Sequence, residues 1–173
     1  MVNKMAAKVL TFVVLGVPVP KGRPRMTRRG RVYTPAKTVA YERTVAIAAQ
    51  MAKSAVADGM MFPGPVQVTI WCRFAPPPSW SRKKTAAMLH QPHTQLPDLD
   101  NLVKSVLDGM NHTHNIWTDD KQVAAVTATK HWSEKSCVLV RIEKINENSH
   151  NDWNGNEAKP EELDPPASEN GAD

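Results

Sequence analysis

The segment Pro97-Asp98-Leu99-Asp100-Asn101-Leu102-Val103-Lys104-Ser105-Val106-Leu107-Asp108-Gly109-Met110, with Ile116-Trp117-Thr118-Asp119-Asp120-Lys121-Gln122 a few residues on, decides the reading of this chain. Leu99, Leu102, Val103, Val106, Leu107 and Met110 recur at i, i+3, i+4, i+7, i+8 and i+11, which predicts a helix with one buried face. Asp98 stands at its N-cap, after a proline, and Asp100 lies in the first turn with Lys104 four residues on. Each aspartate alone has an ordinary use: Asp98 as a cap, Asp100 as a dipole complement paired with Lys104, Asp119-Asp120 as a turn. Together they exceed what a helix start requires. Carboxylates gathered in one place repel unless a cation sits among them, and oxygen-only ligands suit Mg²⁺ or Mn²⁺ rather than zinc.

The chain carries 22 Lys and Arg against 17 Asp and Glu, and the charge is divided unevenly. From Asn146 onward eight acidic residues face one lysine, about −7, so residues 1–145 carry about +12. So basic a body points to a polyanion, nucleic acid before membrane, since no basic amphipathic helix stands out. Six cations crowd into Lys21-Gly-Arg-Pro-Arg-Met-Thr-Arg-Arg-Gly-Arg31, where Gly, Pro and Thr space the arginines. A solvated charged loop is the ordinary alternative; phosphate-gripping guanidinium groups fit the spacing better. Arg82-Lys83-Lys84 add to the same surface. Cys72 and Cys137 lack metal-ligand spacing and read as reduced thiols; His90-x-x-His93 and His112-x-His114 have no cysteine pair to complete a zinc site.

Around the central helix, Val9 to Val17 reads as a strand buried on both faces and placed inside the sheet. A helix from about Ala36 to Val56 follows, with Thr34 as cap, Pro35 at its first position, and Tyr41, Val45, Ala48, Ala52 and Ala55 as its buried stripe. Asp58-Gly59 and Pro63-Gly64-Pro65 end it. Val66 to Phe74 alternates as a strand with one face on the core. Ser79 to Leu89 gives a short basic helix capped by Ser79 or Ser81, and Gly109 to Asn115 a turn. Gln122 to Trp132 and Cys137 to Ile145 read as a hairpin. The order indicates a single small domain over residues 1–145, α/β or α+β with one mixed sheet, and an acidic, disordered tail over 146–173. No apolar run reaches the roughly 20 residues of a membrane span and no secretory leader is evident, so the expected setting is cytoplasmic.

Pro-Asp-Leu-Asp-Asn-Leu-x-Lys-x-x-Leu-Asp-Gly followed by Trp-x-Asp-Asp-x-Gln-Val resembles the signature of the RusA family of Holliday junction resolvases, crossover junction endodeoxyribonucleases common in phages and prophages. The resemblance covers most of Leu10 to Ile145. It implies a RusA-like fold with a mixed four-stranded sheet, a homodimer, branched four-way DNA as substrate, and a bacterial or phage-infected cell as setting. It further implies Mg²⁺, with Mn²⁺ as substitute, held by Asp98, Asp100 and Asp120, with Asp119 in reserve and Lys104 as a transition-state cation. Lys21, Arg23, Arg25, Arg28, Arg29, Arg31 and Lys130 are the expected DNA contacts. The alternatives are a non-catalytic DNA-binding protein, or an endonuclease for flaps or duplexes.

Overall fold

The computed structural model describes residues 9–56, 62–112 and 116–145. The expected acidic tail, the Asp58-Gly59 stop and His114 lie outside them. The main sheet has four strands: β1 (Val9–Leu15), β4 (Val66–Phe74), β5 (Val123–Trp132) and β6 (Cys137–Lys144), in the spatial order β1-β6-β4-β5. β1 and β4 run antiparallel to β6, while β5 runs parallel to β4, so the expected mixed four-stranded sheet is present. Helices α1 (Ala36–Ser54) and α3 (Leu99–Asn111) pack on each other, α1 against β1 and α3 against β5. Between them and the sheet lies a core built on Leu10, Val14, Val45, Val68, Ile70, Leu102, Val106 and Ile142. A two-stranded ribbon, β2 (Arg25–Met26) with β3 (Val32–Tyr33), and a short helix α2 (Arg82–Met88) project from this body.

Several local expectations are corrected. β1 lies at the edge of the sheet, not inside it, and Leu10, Phe12 and Val14 are buried while Leu15 is 78% exposed. Helices cover only one face here, so the β-branched run serves a half-buried edge strand. β5 and β6 do not form a hairpin: β4 lies between them. Their four-residue link crosses the end of β4, where Ser133 N–H donates to Phe74 O (2.9 Å) and Ala75 N–H to Ser136 Oγ (2.8 Å). Pro35, not Thr34, occupies the N-cap of α1, whose buried residues include Thr38 and Glu42, whereas Ala55 is exposed. α2 starts from Ser81, whose hydroxyl accepts from Lys84 N–H at 3.2 Å.

α3 does not stop at Gly109 but continues to Asn111. Gly109 is buried against α1: a Cβ there would meet Val45 Cβ at 2.7 Å and the Glu42 carbonyl oxygen at 2.9 Å. The glycine serves close approach of two helices, not a turn. Leu102, Val106 and Met110 are fully buried and Leu99, Val103 and Leu107 partly, as the periodicity predicts. No helix among the described residues is long and apolar enough to cross a membrane. Both cysteines are free; Cys72 is buried, which pushes its thiol up to about 12.

Candidate active site and nucleic-acid surface

Asp98 is the N-cap residue of α3, with extended backbone, but its carboxylate makes no cap hydrogen bond. Asp98 and Asp100 stand at the surface, and among the described residues the Asp100 carboxylate accepts one hydrogen bond, from the neighbouring Asn101 side chain at 3.4 Å. Two anions at a helix start that cap nothing are free to bind something else. The pairing of Asp100 with Lys104 is not made: Lys104, 64% exposed, leans the other way, its Nζ 3.9 Å from Asp108.

Asp119 and Asp120 are held by a frame centred on Gln122. Gln122 donates to the carbonyls of Phe62 and Gly64 (both 2.9 Å) and accepts from the N–H groups of Thr118 (2.7 Å) and Asp119 (3.2 Å). The Asp119 carboxylate accepts from Lys121 N–H at 2.9 Å, and this bond lowers its pKa. This is a capping box, legible in Asp119-x-x-Gln122. Asp119 is thus committed locally. Asp120 points outward and accepts from Asn111 Nδ2 at 2.9 Å, while Asn111 Oδ1 accepts from the indole of buried Trp117 at 2.8 Å.

Asn111 is the last residue of α3 and Asp98 precedes its first, so at 1.5 Å per residue the helix sets Asp98 and Asp120 about 20 Å apart. A second ruler agrees. Asp120 stands just before the start of β5, while Lys130, near the end of that strand, donates to the carbonyls of Gln95 (2.8 Å) and Pro97 (2.6 Å) beside Asp98. At about 3.3 Å per residue, the seven steps of strand from Val123 to Lys130 separate the two places by about 23 Å. Mg²⁺ binds oxygens at about 2.1 Å, so its ligands must lie within about 4 Å of one another. The donor chemistry of Asp98, Asp100 and Asp120 suits Mg²⁺, but one chain does not bring them together. Among the described residues no three His, Cys, Asp or Glu side chains form a metal site.

The expected cations also separate into two kinds. Arg23, Arg25, Arg28, Arg29 and Arg31 are exposed, along and around the ribbon whose turn is closed by Thr27 and by Gly30 at φ +76°. None of the five has an ion pair among the described residues. Lys21, by contrast, is turned inward: Nζ lies 2.5 Å from Glu42 and 2.6 Å from Asp108, and its N–H donates to the Asn101 carbonyl at 2.8 Å. Burial alone would lower its pKa; Asp108 and Glu42 outweigh burial and raise it above 10.5. The ribbon's root is therefore fastened along α3, by its backbone to Asn101 near Asp98 and Asp100 and by its side chain to Asp108 in the second half of the helix. Glu42 carries no signal in the sequence, and Asp108, though part of the motif, gives no sign of this pairing, because their partner lies far away along the chain.

Residues 16–143 match a protein family described as endodeoxyribonuclease RusA. The chain is also similar to YqaN, an uncharacterized protein of Bacillus subtilis strain 168, with 34% identity over 144 residues that cover 79% of this chain and 96% of that protein. With a carboxylate pair at the surface of a helix start, an arginine ribbon joined to the same helix at Asn101 and Asp108, and a family match over most of the chain, the protein belongs to the RusA family of endodeoxyribonucleases.

Proposed function

We propose that this protein is a Mg²⁺-dependent, structure-selective endonuclease that resolves four-way DNA junctions by paired symmetric nicks, acting as a homodimer. The observation that carries the reading is the Asp98–Asp100 pair at the surface with the arginine ribbon joined to the same helix through the hydrogen bond from Lys21 N–H to Asn101. Phosphate-binding proteins do not ordinarily present unpaired carboxylates toward a polyanion, whereas phosphodiester hydrolysis uses them to hold a cation. Mg²⁺, when bound, supplies a nucleophilic water at neutral pH and an acceptor for charge on the phosphoryl oxygens. Lys104, one turn from Asp100 and exposed, offers an ammonium for the charge that develops there. The guanidinium groups of the ribbon hold the backbone in register.

The separation of Asp120 from Asp98 and Asp100 fits a dimer. In a two-fold arrangement with the α3 helices of two subunits running antiparallel, the end bearing Asp120 lies beside the partner's end bearing Asp98 and Asp100, and the symmetry completes two sites at once. Two sites related by a two-fold axis match a junction that needs one nick in each of two opposed strands.

Mixing two inactive variants tests this arrangement. Asp98→Asn and Asp120→Asn should each abolish nicking of a labelled junction in Mg²⁺ while retaining binding. After subunit exchange, heterodimers of the two carry one site with Asp98, Asp100 and Asp120 all intact, so about a quarter of the wild-type sites should return. If each site were built within one chain, mixing would restore nothing. If wild-type protein left junctions uncut in Mg²⁺, the chain would be a binder; if it cut flaps or duplexes in preference, the junction assignment would fail.

A further inference from the structure

We propose that Lys130 is a positioning residue for Asp98: its ammonium clamps the carbonyls of Gln95 and Pro97 instead of gripping a phosphate. The catalytic consequence rests on the nuclease reading above; the clamp itself does not.

The connection from α2 to α3 is laid along β5, the strand at the open edge of the sheet. His90 N–H donates to the Trp132 carbonyl (2.9 Å), Trp132 N–H to the Gln91 carbonyl (3.0 Å), and His93 N–H to the Lys130 carbonyl (3.0 Å). His93 is buried there, its ring 4.3 Å from that of Phe74 and 4.2 Å from that of Trp132. These contacts fix the connection as far as His93. Beyond it the chain still has to reach Asp98, and Leu96 on the way is 80% exposed, with no core to seat it.

Over this last stretch the Lys130 side chain takes over from the strand backbone. Its Nζ reaches the carbonyl oxygens of Gln95 at 2.8 Å and Pro97 at 2.6 Å. Two of the three ammonium donors are thereby spent within the chain, on a residue that is half-buried. A phosphate contact would extend its head into solvent. An ammonium suits two carbonyls that converge on one point, because its donors rotate around a compact centre; the planar guanidinium fork cannot place two N–H groups there in the same way. The Pro97 carbonyl adjoins Asp98, whose carboxylate has no cap bond to hold it. Lys130 therefore sets where that carboxylate stands.

Lys130→Met and Lys130→Arg in the full chain separate this role from a phosphate contact. Peptide-level hydrogen exchange needs no DNA: in Lys130→Met, amides of residues 93–99 should exchange about tenfold faster or more, with the sheet peptides unchanged. With saturating junction, kcat for nicking should fall by up to about 100-fold, the scale of a misplacement near 1 Å. Junction Kd and its salt dependence should match wild type. Lys130→Arg should recover neither the exchange protection nor kcat, and it carries the test alone if the Met variant fails to fold. The inference is overturned if exchange over 93–99 is unchanged, or if Lys130→Met lowers the salt slope by about 0.9 and Lys130→Arg restores it, the pattern of a phosphate contact. Should the wild type not nick junctions at all, the nuclease reading fails while the exchange comparison still decides the clamp.

Discussion

The side chain of Glu42 is only 5% exposed, and an anion that deep costs heavily unless a cation meets it. Lys21 does so, with Asp108 sharing the ammonium and His112 Nε2 3.3 Å from the other Glu42 oxygen. Lys21→Met leaves Glu42 stranded and should destabilise the fold by about 3 kcal/mol. Lys21→Met/Glu42→Gln should lose less than the sum of the single changes; thermal melts of the four proteins give the coupling. The pH dependence has a definite sign. Because the folded state raises the Lys21 pKa, its stabilisation is complete below 10.5 and is lost as pH climbs through the raised value. Melts above pH 10.5 should show this loss in the wild type and lack it in the double variant. Lys21 and the five arginines stand together in sequence as one basic run. What divides them is Glu42 on a following helix and Asp108 far beyond, and nothing local in residues 21–31 announces either.

Between elements, the packing of α1 on α3 depends on the missing side chain of Gly109. In an open helix Gly→Ala gains about 1 kcal/mol of propensity. Here the added methyl would sit 2.7 Å from Val45 Cβ and 2.9 Å from a backbone oxygen that cannot rotate away. Gly109→Ala should therefore destabilise by about 1–3 kcal/mol, the range for overpacking, as a denaturant melt would register. The helix itself was legible, since its apolar spacing is set by its own residues. Its end was not, because a glycine that breaks a helix and one that admits a neighbour look alike without the neighbour. The expected β5–β6 hairpin failed for a related reason: consecutive strands usually pair, and a four-residue link does not reveal that β4 passes between its ends. The carboxylates were legible as chemistry, yet their separation depends on the return path from α3 to β5, which residue types do not encode.

At the scale of the whole molecule, five exposed arginines make the ribbon the candidate phosphate surface. Replacing Arg28 and Arg29 by Ala should reduce the slope of log K against log salt by about 0.9 for each phosphate no longer neutralised, roughly one to two units in a junction gel-shift series. Unchanged affinity and slope would return the ribbon to a solvated loop. The strand order carries a consequence of another kind. β6 is the last strand among the described residues, yet it occupies an interior place in the sheet and pairs with both β1 and β4. β1, the first strand, has β6 as its one strand partner in the sheet, so Val9 to Leu15 must wait for residues 137–143. During synthesis the sheet cannot close until almost the whole domain has left the ribosome, and the early strand stays unpaired, apolar and open to aggregation throughout. Pairings this distant in sequence make for slow folding. A ribosome stalled before Cys137 has emerged should present a nascent chain that proteases still cut within β1, whereas release of the β6 residues should protect it.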